Sequence, residues 1–467
     1  MVLVLPAVLC LATGYLIVAL ASPVLCRHFA DWLLRLSLSV GFGVGGFSLV
    51  CFLSRVCGFD HLFLADLVVL AMLTVAWLCL RRRIPAADVQ KTPDRDKLSP
   101  PWLHRVITAS FVTVLLAALY ATIRRAIAHP HGEGWDAFAI WNLHARFLFR
   151  GGSHWRDGFS ALLPWSHPDY PPLLPAGIAH FWTYLGHENQ LVPAALGVMF
   201  AFSTVALLIS ALLSLRGSTA AMLGGLTLLS TPFFVEQSAA QYADVPLSFY
   251  FLAAIALLAI YDWSSAEARN LGLLVLAGLA AGFAACTKNE GVLFALSIIF
   301  ARLLAVLRRD RGWRSLLVLA ISLAPALLLM IWFKHSIAPP SELFADQSAL
   351  HKLATPARYW ITLKWYGKDF LRFGEWAYIP GTLLLAGLHF AVGTIAKREQ
   401  KPESGFLVLA LLLTLAGYFV IYLITPYDLY WHLRFSLNRL FLQLWPSAIF
   451  LFFLADPIHV TNAESVC

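Results

Sequence analysis

The stretch NLGLLVLAGLAAGFAACTKNEGVLFALSIIFARLLAVL, residues 270–307, decides the fold class. It consists of two apolar runs, 270–286 and 291–307, divided by the polar TKNE at 287–290. About 20 apolar residues are needed to cross the hydrocarbon core of a bilayer as a helix. Similar runs recur on both sides, near 2–22, 36–54, 61–80, 105–123, 190–214, 219–236, 245–261, 315–333, 376–395, 404–424 and 438–455, which makes thirteen in all. A chain of 467 residues that is 60% hydrophobic and only 13% charged cannot hide so many runs in a soluble core. The expectation is an all-α polytopic membrane protein, because a helix satisfies its backbone polar groups within one segment.

Composition excludes several classes. The first span begins MVLVLPAVLC without a basic leader, so no cleaved signal peptide is expected. The net charge of +8 is modest and its basic residues cluster in short loops, which favours anchoring at a membrane surface over nucleic-acid binding. The seven cysteines form no CxxC, and Cys10, Cys51, Cys79 and Cys286 fall in or beside apolar runs, with Cys57 alone expected in an outward loop. Neither a disulfide framework nor a zinc site is indicated. No glycine-rich phosphate loop follows a strand, so a substrate has to come from the bilayer or from outside.

Lys and Arg in short loops set the orientation. Arg81, Arg82 and Arg83, with Lys91, Arg95 and Lys97 beyond them, follow the third span. Arg308, Arg309, Arg311 and Arg314 follow the ninth, and Lys397, Arg398 and Lys401 the eleventh. All three groups fall on one side, which is therefore the cytoplasmic one. Three segments are then outward: about 128–189, about 334–375, and 425–437. In the first, apolar residues at Phe138, Trp141, Ala145 and Leu148 have helical spacing, ended by Gly151-Gly152, and predict a helix lying in the headgroup region. KHSIAPPSELFADQSALHKLATPARYW, 334–360, reads as one or two more surface helices. The cytoplasmic stretch of about 81–104 reads as a linker.

Acidic residues at these boundaries need a reason. Asp136, in GEGWDAFAIWNLHARF, has an ordinary reading as a helix cap, but Glu133 and the aromatics around it, Trp135 among them, point to a site. HPDYPPLLP, 167–175, is a rigid proline-rich entry that holds His167, Asp169 and Tyr170 near the surface, where they can orient a substrate. Asp244, in QYADVPLSFYF, also reads as a cap with Pro246 in the first turn, yet Glu236, Gln237 and Gln241 crowd the same boundary. Lys288 reads either as a helix–helix turn paired with Glu290 or as a cation for a lipid phosphate. In TPYDLYWHLRFSLNRL, the basic residues His432, Arg434 and Arg439 stand on the outer side, against the positive-inside bias, and a phosphate partner accounts for them. Counting spans places Asp136 and Asp244 on the same face.

The order of these parts, an acidic residue in the first long outward loop, an HP-type proline-rich turn, YADVPLSFYFLAA and then GLAAGFAACTKNEGVLF, resembles the GT-C superfamily of integral-membrane glycosyltransferases. The likeness is nearest to the branch of lipid A aminoarabinose transferases and RgtA/B/C/D-like glycosyltransferases, related to protein O-mannosyltransferases. It covers roughly 105–335, with weaker support from YDLYWHLRFSLNRL. Residues 1–104 would then be extra N-terminal spans and a linker, 105–335 the catalytic module, and 336–467 outward helices with the last spans. Two features depart from the pattern: the three N-terminal spans, and the absence of a second acidic residue directly after Asp136.

The resemblance implies transfer of a sugar from a polyprenyl-phosphate donor to a lipid, glycan or protein acceptor on the periplasmic face of a bacterial inner membrane, with inversion at the anomeric carbon. Asp136 and Asp244 would be catalytic, with or without Mg²⁺ or Mn²⁺, although isolated carboxylates hold such ions weakly. Lys288, Arg434, Arg439 and His432 would hold the donor phosphate. Glu133, Trp135, His167, Asp169, Tyr170, Glu236, Gln241 and Glu290 would line the sugar and acceptor side. The rival is a flippase for a lipid-linked sugar, which should show inverted repeats and a midplane charge site. No repeat is visible. A non-catalytic scaffold leaves the outward carboxylates without a purpose.

Overall fold

The computed structural model of this chain describes residues 3–22, 29–81, 101–264, 269–309, 312–345, 348–376 and 405–455. Among them there are helices and no strands. The helices are α1 (Val4–Ala21), α2 (Phe29–Cys57), α3 (Leu62–Arg81), α4 (Pro101–Ala128), α5 (Asn142–Arg150), α6 (Leu173–Leu185), α7 (Leu191–Arg216), α8 (Ser218–Leu229) and α9 (Pro232–Ala239). They continue with α10 (Asp244–Trp263), α11 (Leu271–Thr287), α12 (Asn289–Arg309), α13 (Trp313–Ser336), α14 (Glu342–Ala345), α15 (Ala349–Leu353), α16 (Pro356–Arg372), α17 (Gly405–Ile424) and α18 (Leu429–Ala455).

Ten of these are long and apolar enough to cross a membrane. The chain is thus a multi-pass membrane protein of helical class. Two of the thirteen expected spans differ from a single long helix. The run at 219–236 is α8 and α9 meeting at 66°. Pro232 is the cause: it disfavours the helical conformation of the residue before it, and Thr231 is extended at φ −81, ψ 104. The run at 270–286 is α11, only 17 residues long. The expected span at 376–395 lies outside the described residues but for Trp376, as do the basic residues at 82–97 and 397–401.

The middle of the bundle is α10, apolar on every side and almost wholly buried, which is the pattern of a helix surrounded by others. It packs on α2, α7, α11 and α18. Small residues let α11 approach α13: a Cβ at Gly278 would lie 2.7 Å from the Leu319 carbonyl oxygen, and one at Gly282 would lie 2.7 Å from the Ala326 Cβ. The N-terminal helices belong to the same core. Tyr250 of α10 donates to the Gly41 carbonyl of α2 at 2.8 Å, and Asp66 of α3 meets His180 of α6 at 2.9 Å and Tyr184 at 2.5 Å.

Two of the segments expected to face outward differ from expectation in structure. The segment opening at Ala137 begins with a π-helical turn, Ala137–Trp141, and continues as α5 to Arg150, with Gly151 at its end as the spacing predicts. Its apolar stripe does not face headgroups, however. Trp141, Ala145 and Leu148 are buried against the protein, because α6, a helix the sequence reading did not separate from the loop, packs along α5. Only Phe138 remains exposed, under the Arg146 guanidinium. The short segment 425–437 is mostly helix: Asp428 accepts a hydrogen bond from the Trp431 N–H at 2.8 Å, starting α18 at Leu429, nine residues ahead of the expected span. The 334–360 segment carries α14, α15 and the start of the amphipathic α16.

Candidate active site at one end of the bundle

The site is built where the loop between α4 and α5 leans on the turn before α10. Gly132 and Gly134 have φ of +80 and +74, which side chains rarely tolerate, and they let the chain turn back so that the Glu133 N–H donates to the Ala240 carbonyl. Gln241 locks the two loops. Its side-chain oxygen accepts from Asn142 at 2.9 Å and its amide donates to the Pro130 carbonyl at 3.1 Å. It sits at φ 62, a strained backbone that this double clamp holds in place. Gln241 is therefore a brace between loops, not a group facing a substrate.

The brace delivers Asp136 to α18. Its carboxylate makes no cap hydrogen bond and pairs instead with the Arg439 guanidinium. Arg439 Nε lies 3.9 Å from Asp244 Oδ2. Asp244 makes no cap either: its Oδ1 accepts from Lys288 Nζ at 3.0 Å and from Gln443 Nε2 at 2.6 Å. Lys288 also meets Glu290 at 2.8 Å, the pairing expected of a helix–helix turn. Gln443 in turn accepts from Tyr418 at 2.7 Å. Three acids thus share two cations in one chain of contacts. Side-chain exposure falls along it, from 23% at Asp136 and 19% at Arg439 to 2% at Asp244 and 4% at Lys288. Exposure rises again to 13% at Glu290, so the Asp244–Lys288 pair in the middle of the chain is sealed and Asp136 is its most open member. Taking one partner from such a buried pair typically costs about 3–5 kcal/mol, because the other charge is left uncompensated.

Aromatic rings close the site. His167, Tyr170 and Trp141 form a stack, with centroids 4.8 Å and 5.5 Å apart, and Lys288 Nζ lies 6.0 Å from the Tyr170 ring centre. The proline-rich turn exists to seat this stack, and His167 takes a left-handed φ of 48 within it. Burial, then the neighbouring Glu290, hold the Tyr170 hydroxyl well above its ordinary value. Burial, then Asp136, push the Tyr242 phenol up to about 12. Both stay neutral at ordinary pH, and Tyr242 lies under Arg439 at 5.1 Å. Asp169 is tied down: it accepts from Asn289 at 2.9 Å and pairs with Lys334 at 3.4 Å, while its carbonyl also accepts from Lys334.

Other expected residues fall elsewhere. Glu133 and Glu236 converge on Arg125, at 2.7 Å and 2.6 Å, as a separate cluster. Trp135 is exposed, with its indole N–H only loosely directed at the Trp165 carbonyl. His432 bonds to Thr425 at 2.8 Å. Arg434 lies five residues before Arg439, which places it about 140° around α18, and it borders a different space: a cavity of about 740 Å³ between α16 and α18. Sequence reading missed Gln443, although it stands one turn after Arg439 on the same face, and it missed Tyr418, Asn289 and Lys334, for which the sequence carries no signal.

The donor set does not suit a divalent ion in this arrangement. The Arg439 guanidinium already stands between Asp136 and Asp244, and among the described residues no three or more His, Cys, Asp or Glu converge. No protein-family model matches the sequence, and no curated protein matches it. Among solved structures the chain is similar to ArnT from Cupriavidus metallidurans bound to undecaprenyl phosphate, with 16% identity over 76% of this chain and 60% of that chain and a TM-score of 0.46. It is also similar to the same protein in the apo state, with 14% identity, coverage of 75% and 76%, and a TM-score of 0.37.

Proposed function

We propose that this protein is a membrane glycosyltransferase that moves a sugar from a polyprenyl-phosphate carrier to an acceptor hydroxyl on the extracytoplasmic side of a bacterial cell membrane. The observation that carries it is the half-open Asp136 carboxylate, aimed by Arg439, which the sealed Asp244–Lys288 pair anchors from below. The motif order that resembles the GT-C superfamily supports the same reading. In the step, the acceptor oxygen attacks the anomeric carbon from the face opposite the phosphate. The bond from that carbon to the phosphate oxygen breaks, and its electron pair leaves on the lipid phosphate. Asp136 takes the acceptor's proton, and the single displacement inverts the anomeric carbon. Arg439, whose side chain is 19% exposed beside Asp136, is the cation that stabilises the departing phosphate. Asp244 and Lys288 act through Arg439 as positioning residues, since neither is open to a substrate.

General-base assistance is worth about 10²–10⁴ in rate. Asp136→Asn keeps the shape of the side chain, so it should fold normally and lose turnover by that factor. The measurement is transfer in proteoliposomes from radiolabelled undecaprenyl-phosphate sugars. Undiminished transfer by Asp136→Asn removes the assignment. Label that changes leaflet while still on the lipid makes the protein a flippase instead.

A further inference from the structure

The cavity between α16 and α18 has no role in the step just described. Three cations border it, Lys368, Arg372 and Arg434, none of them in an ion pair among the described residues. Two indoles join them, Trp365 and Trp431, with Lys368 Nζ only 4.5 Å from the Trp365 ring centre. At the inner wall stands Asn438, whose buried Oδ1 has no hydrogen-bond partner and whose chain neighbour is Arg439. The acids beside the cations are poor counter-ions. Burial raises the Asp369 carboxyl above its ordinary value although Lys368 and Arg372 flank it, and Glu375, which also lines the cavity, acts electrostatically on Arg125 of the neighbouring cluster as well. The cavity thus favours an anion. Its size argues against a bare one: small-molecule sites run from about 300 to 1,000 Å³, and one phosphate group would leave most of 740 Å³ to water. Flat indoles suit the C–H faces of a sugar ring, and guanidinium groups suit a phosphate oxygen pair.

We infer that this cavity seats the acceptor, and that the acceptor is an anionic saccharide. Its phosphate lies on Arg372, Arg434 and Lys368, a ring lies on an indole, and a hydroxyl is passed over Asn438 toward Asp136. Arg434 then serves the acceptor and not the donor phosphate. The assignment of acceptor rests on the transferase reading of Asp136, but the binding itself does not.

Equilibrium binding to the full chain in nanodiscs, without donor, tests it with lactose 1-phosphate, lactose and inorganic phosphate. Lactose 1-phosphate should bind at least roughly tenfold more tightly than either of the others. Joint Arg372→Gln and Arg434→Gln, both at exposed positions, should abolish that preference while leaving lactose binding and the melting temperature unchanged. Trp431→Ala should weaken both sugars alike. Equal binding of the two sugars, a preference that survives the double substitution, inorganic phosphate binding as tightly as the sugar phosphate, or no saturable binding overturns the inference. Loss of this binding preference alongside Asp136-dependent transfer removes the acceptor site alone. An intact preference alongside Asp136-independent transfer removes the transferase reading alone.

Discussion

Asp136 and Asp244 both stand where a helix cap is expected, and neither caps a helix. Their placement at a membrane boundary was legible because a carboxylate there needs a partner. The identity of that partner was not: Arg439 lies 303 residues from Asp136, and one sequence holds no distance information across such a gap. His144 went unremarked for a related reason, since nothing around it in NLHARF distinguishes a buried imidazole from an exposed one. It packs on Phe159 with ring centroids 4.8 Å apart, and its Nε2 lies 3.3 Å from the Ser166 hydroxyl. Burial, then the nearby His167, lower its pKa from 6.5 to about 3. The unfolded chain therefore takes up the proton first, near pH 6.5. The stability from keeping this ring neutral is full above that value and is lost as pH falls toward 3, by up to about 1.4 kcal/mol per pH unit. Melting temperatures of the solubilised protein between pH 7.5 and 5, a range set by about the ordinary histidine pKa, should fall more steeply for the wild type than for His144→Phe. Parallel profiles would show that His144 is not held neutral by the fold.

At the scale of elements, apolar runs located the spans because membrane length is a strong constraint. They could not show that one run is broken or shortened. The break between α11 and α12 is a single extended residue, Lys288, at φ −157, ψ 157, and its ammonium ties the break to the first residue of α10. The junction of three helices therefore depends on one buried charge pair. Lys288→Met leaves Asp244 and Glu290 in the interior with one fewer cation, and should destabilise the protein by about 3–5 kcal/mol. Lys288→Met combined with Asp244→Asn removes a charge of each sign and should recover most of that loss. Thermal unfolding of the two variants in detergent checks this. If the double variant is no more stable than Lys288→Met, the pair does not hold the junction. The short apolar α6 was illegible for the opposite reason: 13 residues are too few for a span and its apolar content read as loop.

For the whole molecule, the lengths of three helices decide which way the site faces. α12 starts at Asn289 inside the site and runs 21 residues to Arg309, about 30 Å away. α13 returns from Trp313 to Lys334, which touches Asp169, and α4 runs from Pro101 into the loop that carries Asp136. Arg308, Arg309 and Arg314 therefore lie at the end opposite the charge cluster. Basic residues near span ends stay cytoplasmic, so the cluster and the α16–α18 cavity should face outward, as an acceptor outside the cell requires. Single cysteines in a cysteine-free background read this directly. Leu162→Cys, at a position 83% exposed in the site loop, should react with a membrane-impermeant maleimide in intact cells. Gly312→Cys, in the turn between α12 and α13, should react only after permeabilisation. The reverse pattern would turn the site to the cytoplasm, where Asp136 would meet cytosolic hydroxyls and the extracytoplasmic acceptor would have to be abandoned.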